Sequence, residues 1–137
     1  MNTLTKMKTV NTMLLVAAIL SCLACGYSSK STPPAAGKVP AIAQLAPANM
    51  TAGGAGFTLT VDGTTFNTNA VVNWNGAAQK TVYVSSGQLT VAIPASAIAT
   101  AGTIQVTVTN PGTAGTGIYG SGATLAETSN SMAFTIN

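Results

Sequence analysis

Five short segments of this chain alternate apolar and polar residues with period two, and the first four are each closed by a turn signal. The apolar sets are Phe57, Leu59 and Val61; Val72 and Trp74; Leu89, Val91 and Ile93; Ile104, Val106 and Val108; and Met132, Phe134 and Ile136. Period two puts alternate side chains on one face of a strand, so each segment predicts a half-buried strand. Many short strands with Gly- and Pro-rich turns, and no long helical pattern, predict an all-β sandwich or barrel.

The punctuation between the strands is equally informative. Pro40 to Pro47 reads as a short edge strand bracketed by prolines, which cannot donate to a ladder. Thr51 to Gly56 is a Gly-rich turn, and Gly63 bends the chain toward Phe66. Asn75-Gly76 is a strong two-residue hairpin signal, because a type I′ turn needs positive φ at both positions. The returning strand is expected to run through Lys80, Val82 and Val84. Pro94 to Ala101 has room for one helical turn containing Ile98, too short to stand without tertiary contacts. Asn110-Pro111-Gly112 reads as a turn. Together the inward sets hold roughly fifteen large apolar side chains, enough for one domain to form a core without disulfides.

Charge is nearly absent from this region. From Pro40 onward the only charged side chains are Asp62, Lys80 and Glu127, and the chain has no His. A nucleic-acid surface needs clustered Lys and Arg, so that class is excluded. General acid–base catalysis needs positioned titratable groups, and metal sites need clusters of His, Cys, Asp or Glu. Asp62 and Glu127 stand far apart in sequence and are not expected to converge; Lys80 reads as a solvated lysine. No catalytic residue, cofactor or metal is therefore expected, and the chain is not expected to be an enzyme.

The N-terminal region has a different texture. Lys6 and Lys8 precede the apolar run Met13 to Cys25, whose end holds small residues and two cysteines in the order Ser21-Cys22-Leu23-Ala24-Cys25, with Gly26 next. A basic start, a short apolar segment and small residues form a secretory signal peptide. The run is about a dozen residues, short of the ~20 that span a bilayer. Met7 is an alternative start. Two frames resemble a bacterial lipoprotein signal: Ile19-Leu20-Ser21-Cys22 and Cys22-Leu23-Ala24-Cys25. The first has the better aliphatic position and is favoured; the second has the better small residue. The resemblance implies thioether attachment of a diacylglycerol, with cleavage before Cys22 or Cys25, and acylation of the new amine. Neither Cys is followed by Asp, which implies the outer membrane if the cell is diderm. A disulfide framework is not expected, since the chain has no other Cys. Residues 1–24 are thus read as the signal peptide. Residues 26–39, with Pro33-Pro34 and no apolar periodicity, are read as a flexible linker reaching about 40 Å if extended.

The succession over 40–137 resembles the IPT/TIG family, the immunoglobulin-like, plexin, transcription factor domain. The resemblance is carried by Pro40-Ala-Ile42 with Leu45-Ala-Pro47, Gly53-Gly54-Ala-Gly56-Phe57, Gly63-Thr-Thr-Phe66, Val72-Asn-Trp74-Asn75-Gly76, Leu89-Thr-Val91-Ala-Ile93-Pro94, Gly102-Thr-Ile104 through Asn110-Pro111-Gly112, and Phe134-Thr-Ile136. No piece is specific by itself; the ordered set is. It implies an immunoglobulin-like Greek-key β-sandwich. The DNA-binding activity of some members does not carry over, because the basic loops are missing.

The departure lies between Pro111 and Ser131, where a long Gly- and Thr-rich loop replaces a short connection. Ile118, Tyr119 and Leu125 give it apolar anchors and are the candidate partner contacts. Removing 113–130 is expected to leave thermal stability nearly intact. The expected function is a non-catalytic, lipid-anchored module of the cell surface or periplasm, for protein binding or a structural or adhesive role. The alternative is a carbohydrate-binding module of the envelope, stacking sugars on exposed Tyr27, Tyr83 or Tyr119; Trp74 alternates with the core set and is expected to be buried.

Overall fold

Two β-sheets pack face to face around the alternating apolar residues, in a computed structural model that describes residues 33–116 and 121–137. The strands are β1 (Ala41–Ala46), β2 (Asn49–Met50), β3 (Phe57–Thr64), β4 (Val71–Trp74), β5 (Ala77–Ala78), β6 (Thr81–Ser85), β7 (Gln88–Ile93), β8 (Gly102–Asn110), β9 (Glu127–Thr128) and β10 (Met132–Ile136). One sheet has the order β1-β3-β7-β6. The other has the order β2-β10-β8-β4-β5, with β9 on the end of β8. All pairs are antiparallel except β2 with β10. The chain changes sheet repeatedly, which is the Greek-key immunoglobulin-like sandwich.

The core follows the period-two sets. Leu59, Val61, Leu89, Val91 and Ile93 close it from the first sheet; Val72, Trp74, Val106, Val108, Phe134 and Ile136 close it from the second. Phe57, Trp74 and Phe134 form an aromatic group across the sheets. Phe57 and Phe134 stack at 5.6 Å between centroids, and Trp74 lies 5.0 Å from Phe134. The 3-10 turn Ala95–Ile98 sinks Ile98 fully into the core, so the lone helical turn exists because its apolar residue is buried there. The Asn75-Gly76 hairpin forms as expected, with φ 50° and 82°, between the paired residues Trp74 and Ala77.

Three features differ from the sequence reading. The strand expected to return from the hairpin through Val82 and Val84 is two strands. After Ala78 the chain leaves the second sheet, and β6 joins the edge of the first, against β7. There Thr81 and Tyr83 stand opposite Val91 and Leu89, while Val82 and Val84 are 57% and 52% exposed. An alternating segment has two possible faces, and a neighbour decides which is buried. The second difference is β2. Its two residues pair in parallel with Thr135 and Ile136 and carry the chain across from β1.

The third concerns the linker. Ala35 pairs with Thr124, and the side chain of Asn110 bonds to the carbonyl of Lys38. Residues 35–39, placed in the linker by composition, are thus held against the domain. The small side chains of Ala35, Ala36 and Gly37 are no bar to this, because the segment contributes its backbone groups to the bonds.

Candidate binding surface

The registers Ala41 with Thr64 and Val71 with Thr109 bring four segments to one pole of the sandwich. They are the incoming residues 35–40, the β3–β4 connection 65–70, the tight β6–β7 turn at 86–87, and the long β8–β9 connection. The turn is tied in by Gly63 N–H to the Gly87 carbonyl (2.8 Å) and Phe66 N–H to the Ser86 carbonyl (2.9 Å).

Asn110 is the junction of this pole. The inward alternation Val106, Val108 continues one step further and places its side chain inside, where it is 1% exposed and the only buried polar residue among those described. Its Nδ2 donates to the carbonyls of Lys38 (2.7 Å) and Thr65 (2.8 Å), and its Oδ1 accepts the N–H of Asn67 (3.0 Å). One amide thereby ties β8 to both the incoming segment and the β3–β4 connection. Each bond satisfies a backbone group that a loop would otherwise leave unpaired. A second amide works similarly. Asn130 Oδ1 accepts the N–H of Ile42 (2.9 Å) and its Nδ2 donates to the Ile42 carbonyl (3.1 Å), spanning the register shift in β1.

The long connection has structure of its own. Thr113 and Thr124 exchange backbone hydrogen bonds at 3.1 and 3.0 Å, and their hydroxyls meet at 2.9 Å. On the other side of Thr124, Ala35 N–H donates to the Ala123 carbonyl (2.9 Å) and Leu125 N–H to the Ala35 carbonyl (3.0 Å). Three backbones therefore lie side by side. Gly37 sits where a Cβ would run into the Leu125 carbonyl and the Glu127 side chain, so the incoming segment passes close only because it has none. After Leu125 the chain is tied to the sheet: β9 pairs with the end of β8, and Ser129 binds Val108 through both its N–H (2.8 Å) and its Oγ (2.9 Å). The expectation that 113–130 could be removed at little cost is thus wrong for its C-terminal part. Ser129 and Asn130 anchor strands in both sheets.

A cavity of about 320 Å³ opens among these segments, lined by Ala36, Lys38, Asn67, Pro111, Thr113 and Leu125 among others. Leu125 is 53% exposed at its rim. Of the other candidate contacts, Ile118 and Tyr119 lie outside the described residues, as do Cys22, Cys25 and Tyr27. Asp62 is on β3 of the first sheet, accepting a hydrogen bond from Gln88 Nε2 (2.8 Å), whereas Glu127 is on β9 of the second. Lys80 is exposed between β5 and β6. Among the described residues no group of three or more His, Cys, Asp or Glu gathers. Trp74 is buried beside Phe134 and presents no flat face to a sugar; Tyr83, on β6, is the exposed aromatic among the described residues.

Sequence reasoning missed Asn110 as the junction because Asn-Pro-Gly looks like a turn. The signal was present in the alternation that precedes it. At this pole the Thr113–Thr124 pair closes the base of one excursion of the chain, residues 114–123.

The sequence model of the IPT/TIG domain matches residues 40–136, well over half of the chain and the whole of both sheets. No curated protein and no solved structure gives a significant match. IPT/TIG domains are non-catalytic immunoglobulin-like modules that generally serve protein interaction. With the strand order, the core and this match in agreement, the chain belongs to the IPT/TIG domain family.

Proposed function

We propose that this protein is a non-catalytic, lipid-anchored module of the bacterial cell envelope that binds a protein partner through the loop pole of its sandwich. The observation that carries the reading is the excursion 114–123, mounted on a frame fixed by Asn110, Asn130 and the Thr113–Thr124 pair. A contact loop on a rigid scaffold is the usual placement of recognition in such sandwiches. Ile118 and Tyr119 within the excursion, and exposed Leu125 at its base, supply the apolar contacts. The family's general use in protein interaction supports the class of partner. The apolar run before Cys22 and Cys25 supports export and acylation of one of them, with Cys22 favoured. In a diderm cell the anchor belongs to the outer membrane. A catalytic role has no support in the residues: Asp62 and Glu127 sit on different sheets. The carbohydrate reading rests on Tyr27, Tyr83 and Tyr119, and among the described residues Tyr83 alone offers it an exposed ring, with Trp74 in the core.

The test replaces 115–122 by Asn-Gly, which closes a short hairpin on the retained Thr113–Thr124 pair. The thermal midpoint is expected to stay within about 4 °C of the parent, since both sheets and the Thr113–Thr124 pair are retained. Capture of the envelope protein bound by the parent chain is expected to fall at least tenfold. Undiminished capture by the shortened chain would exclude the excursion as the contact.

A further inference from the structure

The edges of the two sheets are not protected alike. β2, β5 and β9 have two residues each, and β1 is bracketed by Pro40 and Pro47. Short strands and prolines are ordinary ways of keeping an edge from pairing. The strand β6 differs. It has five residues, Thr81-Val82-Tyr83-Val84-Ser85, with no proline and no charge, and all are of types that favour strands except Ser85. It lies at the end of its sheet, and among the described residues nothing pairs with its outer side. Of the five exposed large apolar residues among those described, three are its consecutive Val82, Tyr83 and Val84.

We propose that β6 is a self-pairing edge, and that its partner is β6 of a second copy of this chain. The strand is close to a palindrome about Tyr83. Antiparallel pairing on a two-fold axis through Tyr83 sets Val82 of each copy opposite Val84 of the other, and Thr81 opposite Ser85. Cross-strand β-branched pairs and hydroxyl pairs are both favourable. No charge meets a charge: Lys80, the nearest, falls opposite Ser86. The two copies would continue one sheet across the axis, the isologous arrangement a two-fold interface requires. A donated strand from a different protein would have no reason to match this symmetry.

The pairing is limited by its own geometry. The register shift between Tyr83 and Ser85 leaves Val84 as an extra residue on the β6 side, and a bulge twists an edge. One strand pair also buries far less than the ~1,200 Å² of a stable complex. Dissociation is therefore expected near about 0.1 mM in solution. This inference does not depend on the lipid anchor, although tethering to one surface would raise the effective concentration.

The experiment is sedimentation velocity on the full-length chain in detergent micelles, from about 10 µM to 1 mM, bracketing the expected midpoint. Two double variants are compared with the parent, with near-ultraviolet circular dichroism to verify the aromatic core. V82K/V84K places like charges opposite each other across the axis. V82K/V84E carries one such charge as well, but there each V82K faces V84E of the other copy. The parent is expected to move from monomer to dimer over this range. V82K/V84K is expected to stay monomeric throughout, and V82K/V84E to dimerise within about threefold of the parent midpoint. A monomeric parent at every concentration would overturn the proposal. So would a dimer indifferent to V82K/V84K, which would place the contact elsewhere in the chain. Loss of the dimer in both variants would overturn the two-fold antiparallel register.

Discussion

Asn110→Ala is expected to destabilise the domain by about 3 kcal/mol and to lower its thermal midpoint by roughly 12–20 °C. The size comes from what the substitution leaves behind. The carbonyls of Lys38 and Thr65 and the N–H of Asn67 lose their partner together. An unsatisfied buried group costs about 1–3 kcal/mol, and the sum is moderated here because the cavity beside Asn110 lets water reach part of the pole. Loss of the link to Lys38 is also expected to loosen the incoming segment. Amide exchange at Ala35 and Leu125 should quicken before the strands unfold. Asn110→Asp gives a pH test of the same geometry. The new carboxylate keeps the bond from Asn67 but faces two carbonyl oxygens, so its charged form is disfavoured in the folded state. Its folded pKa is thus raised above the unfolded value. The penalty is fullest above that raised pKa and shrinks as pH falls and the acid protonates, since a protonated oxygen can donate to one carbonyl. Urea denaturation across pH 4 to 8, compared with the parent, measures it. A deficit independent of pH would contradict the assigned bonds.

Phe134→Ala is expected to cost about 3–5 kcal/mol, and roughly 15–30 °C in midpoint, enough to leave the domain marginal. Phe134 is wholly buried on β10 and touches both sheets through its stack on Phe57 and its tilted contact with Trp74. The cavity would open at the centre of the core, bounded by paired strands on each side, where the surroundings can collapse only partly. Phe134→Leu retains most of the volume and should cost less than half as much. Trp74 reports the change directly: its emission should shift to the red in the Ala variant as water gains access. An unchanged midpoint would contradict the placement of this ring between the sheets.

The fold was legible because its buried strands alternate strictly. Leu59 and Val61, Leu89 to Ile93, and Val106 and Val108 each had one apolar face, and that face is inside. Asn75-Gly76 announced its hairpin through the backbone conformation it requires. The pole was less legible, for two physical reasons. Asn110 has a residue type that serves equally in turns and in buried junctions, and only its neighbours' spacing distinguished them. The β6 strand alternates like a core strand, yet it lies on an edge, so Val82 and Val84 had no sheet to cover them. Nor could composition reveal that residues 35–39 bind the domain, because those contacts use backbone groups common to all residues. The candidate contacts Ile118, Tyr119 and Leu125 were chosen from an unusual loop length. The structure adds the base on which that loop stands.

The proposed tethered interaction module requires both the sandwich and an anchor, and the proposed anchor rests on the least ordinary chemistry in the chain. Intact mass and N-terminal fragment spectra of the mature protein, extracted from membranes of its own cells, test it most directly. The expected mature chain begins at Cys22, or at Cys25, with diacylglycerol on the thiol and an acyl group on the amine. A mature chain that retains residues 1–21, or begins at either cysteine with an unmodified thiol, would contradict it.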